Sequence, residues 1–206
     1  MNKLKQLLRF ERLIYLDYNA TTYVSKKVRK TMRRALRYYW GNPSSGYRIG
    51  KISAQVIEKA RQHVANAIGA HSHEVYFTGC ATESNNAVIK TLSRHFYPKK
   101  KKIISTPIEH SSVKNALKSL QEEGIDVQYC EVDSKGRVSI NQLEKMIDED
   151  TFLICCVFAN NEIGTIQNIK EIAGLAKSRG ILTLSDCVQA LGKIPVNVKE
   201  FGVDYA

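Results

Sequence analysis

Long apolar runs are missing from this 206-residue chain. The longest clean one, 152–159, is far too short to cross a bilayer, and the N-terminal pairs Leu7-Leu8 and Leu13-Ile14 are interrupted by Arg9, Glu11 and Arg12. Neither an export signal nor a membrane span is expected. Cysteine is sparse and unpaired in pattern: Cys80, Cys130, Cys155, Cys156 and Cys187 are odd in number and form no CxxC, which argues against a disulfide framework or a thiolate zinc site and fits a reducing cytoplasm. Internal repeats and low-complexity linkers are also missing. Acidic residues are scarce at the start, where residues 1–61 hold 3 against 15 basic ones, while 62–206 hold 17 against 16. The net charge of +11 is therefore entirely N-terminal. The balanced remainder does not resemble a groove for phosphate backbones, and charge without a reading motif does not make a nucleic-acid binder. What the chain does have is 43% apolar residues, enough to bury a sizeable core, which excludes disorder.

Between 24 and 40, Val28, Met32, Ala35, Leu36 and Tyr39 recur at helical spacing, with Lys26, Lys27, Lys30, Arg33, Arg34 and Arg37 on the other faces. This predicts a surface helix with a basic back. Gly41-Asn42-Pro43-Ser44-Ser45-Gly46 breaks it, and a second amphipathic stretch carries Ile57, Ala60, Val64, Ala67 and Ile68 on one side. From there strands and helices take turns. Strands are expected at 75–78, 102–105, 126–132, 152–158 and 181–185; helices at 83–95, around Val113-Leu120, at 140–147 and at 169–178. That alternation predicts an α/β sandwich with a largely parallel sheet, and ligands in such sheets sit beyond the carboxyl ends of the strands. The run of lysines at 99–102 reads as a solvated connection.

Several residues fall where chemistry is done in such a fold. The expected strand 75–78 leads through Gly79-Cys80-Ala81-Thr82 into a helix, and small residues, a helix start and the Thr82 hydroxyl together make a phosphate cup; equally, Thr82 can simply cap the helix. Asp186 follows a buried strand, with Gln189 three residues on. It can hold a cationic nitrogen or cap a turn. Asn160-Asn161-Glu162-Ile163-Gly164 follows another strand as turn formers or ligand donors, and His110, after Thr106-Pro107-Ile108-Glu109, is placed to stack on a ligand or to move protons. His63, His71, His73 and His95 read as ordinary surface histidines, and no metal site is expected. Cys155 and Cys156 read as core, and neither Cys80 nor Cys187 has a neighbour that would activate it.

Taken in order, Tyr15-Leu16-Asp17-Tyr18-Asn19-Ala20-Thr21-Thr22, Gly41-Asn42-Pro43-Ser44-Ser45, Phe77-Thr78-Gly79-Cys80-Ala81-Thr82-Glu83-Ser84-Asn85-Asn86, Glu109-His110, Asn160-Asn161-Glu162-Ile163-Gly164 and Asp186-Cys187-Val188-Gln189-Ala190 closely resemble the cysteine desulfurases of the NifS/IscS type. These belong to the class V aminotransferase group of pyridoxal-phosphate enzymes of fold type I. The resemblance runs from about Tyr15 to Ala206 and favours this branch over the SufS-like one. It implies that Ala81 and Thr82 bind the cofactor phosphate, that His110 stacks on the pyridine ring and shuttles protons, and that Asn161 and Gln189 meet the ring oxygen side. It also implies that Asp186 pairs with the pyridinium nitrogen, whose positive charge lets the ring accept electrons. The family reaction moves the sulfur of L-cysteine onto an enzyme cysteine as a persulfide, releases alanine, and passes the sulfur to iron–sulfur scaffolds or tRNA-thiolating enzymes.

The departures from the family pattern carry expectations of their own. Relatives continue beyond Gly202-Val203-Asp204 into a Ser-x-His-Lys segment bearing the Schiff-base lysine, and later supply the sulfur-accepting cysteine and a small C-terminal domain; neither Lys193 nor Lys199 matches that lysine. The resemblance thus implies a basic extension at 1–14 and, at 15–206, a pyridoxal-phosphate-binding large domain incomplete at its C-terminus. Such a chain is expected to be inactive alone, to expose apolar surface, and to need a second copy or a complementing C-terminal fragment. Tyr47, where a histidine is usual, and Ser185, before the aspartate, are smaller differences. The competing expectation is a non-catalytic interaction module that has kept the fold and binds a partner through its basic helix.

Overall fold

The computed structural model describes residues 14–206, so the expected extension at 1–14 lies, apart from Ile14, outside the described residues. The chain divides into two units, Met1–Trp40 and Gly41–Ala206. In the first, helix α1 (Lys26–Tyr38) opens where the Ser25 hydroxyl accepts from the Val28 amide at 3.3 Å and buries none of its side chains. Seven of its thirteen residues are Lys or Arg and none is acidic. The expected basic back is there, and Met32 and Leu36 on the apolar side are exposed.

The second unit opens with a turn in which the Asn42 side chain accepts from the Ser44 amide, followed by α2 (Arg48–Ile68), ended by Gly69 in a left-handed conformation. Then come α3 (Ala81–Phe96), β1 (Lys102–Ser105), α4 (Ser111–Glu122), β2 (Asp126–Tyr129), α5 (Ile140–Met146), β3 (Thr151–Cys155), α6 (Ile169–Ser178), β4 (Leu182–Leu184) and the short α7 (Val198–Phe201). The four strands form one wholly parallel sheet in the order β2-β1-β3-β4.

Successive strand residues face opposite sides, which divides the core in two. Ile103, Leu153 and Cys155 pack with Ile89 and Leu92 of α3 and Val113, Leu117 and Leu120 of α4. Ile104, Ile154 and Cys156 pack with Leu143 of α5 and Ile169, Ile172 and Ala176 of α6. Both cysteines are core residues, on opposite faces. A sheet covered on both sides explains why its strands read as continuous apolar runs rather than alternating ones, and each fully buried Ile, Leu or Phe contributes about 1.5–3 kcal/mol. The α/β sandwich with a parallel sheet is the fold observed.

The boundaries differ in informative places. The stretch 75–78 is extended but not a strand: among the described residues it has no ladder partner, and Arg61 holds it instead, through its guanidinium on the Val75 carbonyl and over the Phe77 ring at 5.0 Å. Tyr76 and Phe77 are exposed, as are Leu36, Trp40 and Val188. The strand expected at 126–132 stops at Tyr129, Val132 pairing singly with Val138, and the one expected at 152–158 stops at Cys155, so that Val157 and Phe158 belong to the loop above the sheet. Among the described residues no helix is long and apolar enough to cross a membrane.

Candidate functional site

The carboxyl ends of β1, β3 and β4 converge on a mouth bordered by the start of α3. Asp186 leaves β4 at its carboxyl end and is 7% exposed. The turn reading holds, Oδ1 accepting from the Val188 amide at 3.0 Å, and Oδ2 accepts from Asn85 Nδ2 at 3.0 Å. The same nitrogen of Asn85 donates to Ser112 Oγ at 3.0 Å, and Ser112 Oγ lies 2.9 Å from His110 Nδ1.

These contacts fix a direction. Asn85 Nδ2 uses one hydrogen on Asp186 and the other on Ser112; the Ser112 hydroxyl then donates to His110 Nδ1, which also accepts from the Ser112 amide at 3.2 Å. With Nδ1 an acceptor, the neutral ring carries its proton on Nε2, on the edge away from Ser112. His110 is thereby both the cap of α4 and the exposed end of a relay from Asp186.

At the start of α3 the cap is Cys80, which makes no side-chain bond to the first turn. The helix begins two residues earlier than its apolar pattern indicates, so Ala81 and Thr82 occupy its first turn and the Thr82 hydroxyl is not the cap. Their amides stand at the positive end of a 16-residue helix, while Glu83 folds back to accept from the Gly79 amide at 2.7 Å. Ala81, Ser84, Asn85, Asp186 and Cys187 border a cavity of about 430 Å³ whose other walls are mainly apolar, among them Val64, Ile68, Val75 and Leu191, and which neither Thr82 nor His110 lines. By their chemistry, first-turn amides at the positive end of a helix suit an anion, and a buried carboxylate held by a carboxamide suits a basic ring nitrogen.

Asn160 and Asn161 are in the loop beyond β3. Asn160 is the turn former, its Oδ1 accepting from the amides of Glu162 and Ile163, while its Nδ2 donates to the Ile108 carbonyl at 2.8 Å. Asn161 is half-buried beside it. Gln189 follows the Asp186 turn, where its Oε1 accepts from Lys193. Lys199 meets His71 Nε2 at 3.1 Å, so both lysines set aside on sequence grounds have local partners. Burial raises the Cys187 thiol to about 11, unlike an activated nucleophile.

Asn85, Ser112 and Glu109 were not among the residues expected here. The signal for the first two is a polar residue on an apolar helical stripe: Asn85 precedes Ile89 by four and Ser112 precedes Ala116 by four, and all four are buried. Glu109 is 3% exposed, and nothing in its local sequence distinguishes it from a surface loop acid.

Residues 14–206 match the class-V aminotransferase family. The chain is 44% identical over 191 residues to the cysteine desulfurase IscS of Methanosarcina thermophila, covering 93% of this chain and 47% of that protein. A solved structure of a NifS-like protein superposes with a TM-score of 0.91 at 41% identity, covering 94% of this chain and 54% of that one. A structure of SspA in complex with cysteine superposes with a TM-score of 0.90 at 34% identity, covering 93% and 55%. The chain spans about half the length of the curated relatives it matches.

Proposed function

Because this chain belongs to the class-V aminotransferase family, on its NifS/IscS-type cysteine desulfurase branch, we propose that residues 15–206 form the pyridoxal-phosphate cradle of a cysteine desulfurase. The observation that carries this reading is the relay in which Asp186, Asn85, Ser112 and His110 are joined by three successive hydrogen bonds across the mouth of the sheet.

In this reading Thr82 and the amides of Ala81 and Thr82 hold the phosphate, where the helix dipole favours negative charge. Asp186 receives the ring nitrogen, and the Asn85 donor keeps its carboxylate aimed. His110 lies against the ring face and holds or moves a proton at Nε2, its tautomer fixed by Ser112, while Asn161 and Gln189 approach the ring oxygen from the flanking loops. Pyridoxal phosphate, when bound, supplies the electron sink that lets a carbon–sulfur bond of L-cysteine break. The products of the complete reaction are alanine and a persulfide on a cysteine, whose sulfur serves iron–sulfur assembly or tRNA thiolation in the cytoplasm. Residues 1–206 contain no Ser-x-His-Lys segment. In this reading the covalent anchor and the sulfur-accepting cysteine lie outside residues 1–206, and the site works in a dimer.

The test is a spectrophotometric titration of the 206-residue chain with pyridoxal phosphate, alongside Thr82→Val and Asp186→Ala checked for folding by circular dichroism. Saturable binding weakened about tenfold in each variant is expected, a charge-assisted hydrogen bond being worth about 1.5–3 kcal/mol. Identical binding by all three overturns the reading. The chain alone should release no alanine from L-cysteine.

A further inference from the structure

Glu109 sits under the mouth of the sheet. Its Oε1 accepts from Thr106 Oγ1 at 2.6 Å and from the Val157 amide at 2.8 Å, whereas its Oε2 is buried with no hydrogen-bond partner among the described residues. Thr106 belongs to its own loop after β1, the loop that ends in His110; Val157 belongs to the loop after β3, which leads to Asn160 and Asn161. A second bond, from Asn160 Nδ2 to the Ile108 carbonyl at 2.8 Å, joins the same two loops. An ionised carboxylate here would leave one oxygen in the core with neither donor nor cation, an arrangement buried charges avoid by neutralising.

We propose that Glu109 is a positioning residue of this site: a neutral carboxyl that clamps the His110 loop to the Asn160-Asn161 loop. The surroundings support the neutral form. Burial, aided by the Asp186 carboxylate beyond β4, pushes the carboxyl up to about 7 against the opposing hydrogen bonds from Thr106 and Val157 and the charge of Lys114 on α4. From the end of β3 and the residue after it, the facing groups are the thiols of Cys155 and Cys156, which burial holds well above their ordinary value and so uncharged. His110 is its chain neighbour. The consequence for the site rests on the reading of His110 and Asn161 as ring-facing: with the clamp closed, both flanks of the mouth are held at fixed separation before any ligand arrives.

The test uses the 206-residue chain without ligand. Infrared difference spectra taken on either side of pH about 7 should show the carbonyl stretch of a protonated carboxylic acid, lost as pH rises and absent from Glu109→Gln. No such band, or one that persists in Glu109→Gln, overturns the neutral carboxyl. Nitrogen resonances of the His110 ring are then compared in the wild type, Glu109→Gln and Glu109→Ala, with His63 as the remote control. Glu109→Ala should move His110 and leave His63 in place, and Glu109→Gln, which keeps an acceptor for both donors, should restore it. Unmoved His110 resonances in Glu109→Ala overturn the clamp. Should that variant not fold, Thr106→Val removes one of the two donors and is expected to displace His110 in the same way. Neither measurement involves pyridoxal phosphate, so failure here leaves the cofactor reading standing, and failure of cofactor binding leaves the clamp standing.

Discussion

Asn85 and Asp186, 101 residues apart in the chain, meet through a 3.0 Å hydrogen bond that is buried on both sides. The carboxamide serves two acceptors at once, so its loss leaves both Asp186 Oδ2 and Ser112 Oγ short of a donor. Asn85→Leu is therefore expected to destabilise by about 1–3 kcal/mol for the unsatisfied groups. In a domain of this size that is roughly 2–4 °C in the thermal midpoint per kcal/mol, readable by calorimetry. Asn85→Asp should be worse, because it places a second carboxylate against Asp186 with no new donor. Equal midpoints for the two variants would contradict the charge argument.

The protonation of Glu109 makes stability depend on pH with a definite sign. The fold holds its proton up to about 7, against 4.5 for the free group. Between those values the unfolded chain releases a proton that the folded chain keeps, so stability falls as pH rises from about 4.5 to about 7 and is level beyond. Glu109→Gln should remove that descent. Asp148 acts in the opposite sense: the hydrogen bond from Lys102 holds its carboxyl below 3.8, so its contribution is lost as pH falls through that range, and its exposure keeps the contribution small. Midpoints of both chains across pH give the difference curve, and a flat difference between them would remove the assignment.

Lys102 is a lysine inside the sheet. Its stem lies in β1 and its ammonium reaches the Met146 carbonyl at 2.6 Å and Asp148 Oδ2 at 2.8 Å, with only 7% of the side chain exposed. Lys102→Met keeps the stem and removes the donors, and is expected to cost about 1–3 kcal/mol by urea titration, mostly for the stranded Met146 carbonyl. Lys101→Met, at an exposed neighbouring position, should fall within about 0.5 kcal/mol of wild type.

Gly50 tests packing against propensity. It lies in the first turn of α2, where alanine would ordinarily be favoured by roughly 0.5–1 kcal/mol. A Cβ there would stand 2.5 Å from the Ser45 carbonyl oxygen and 2.6 Å from that of Asn42, both in the turn that precedes the helix. Gly50→Ala should therefore destabilise, by about 1–3 kcal/mol, despite its better helix propensity. A raised thermal midpoint would show that the turn yields instead.

Much of this architecture was legible before any coordinates. The stripe of Ile169, Ile172, Ala173 and Ala176 marks α6 at its observed limits, and the parallel sheet follows from the alternation of elements. What local sequence could not supply is partnership. Residues 75–78 have strand composition without a strand partner among the described residues, and the order β2-β1-β3-β4 is set by contacts between distant segments. Asp186, His110, Ala81 and Thr82 could be picked out because each sits at an element boundary. Asn85 and Ser112 lie inside helices and Glu109 in a loop, and each acquires its role only from a residue that folding brings to it.

The long separation between Asn85 and Asp186 also has a temporal side. At roughly 5–20 residues added per second, a ribosome needs roughly 5–20 s after making Asn85 before Asp186 exists to accept its hydrogen bond. During that interval the carboxamide on α3 can be satisfied only by water or by Ser112, so the relay is completed last, when β4 takes its place in the sheet.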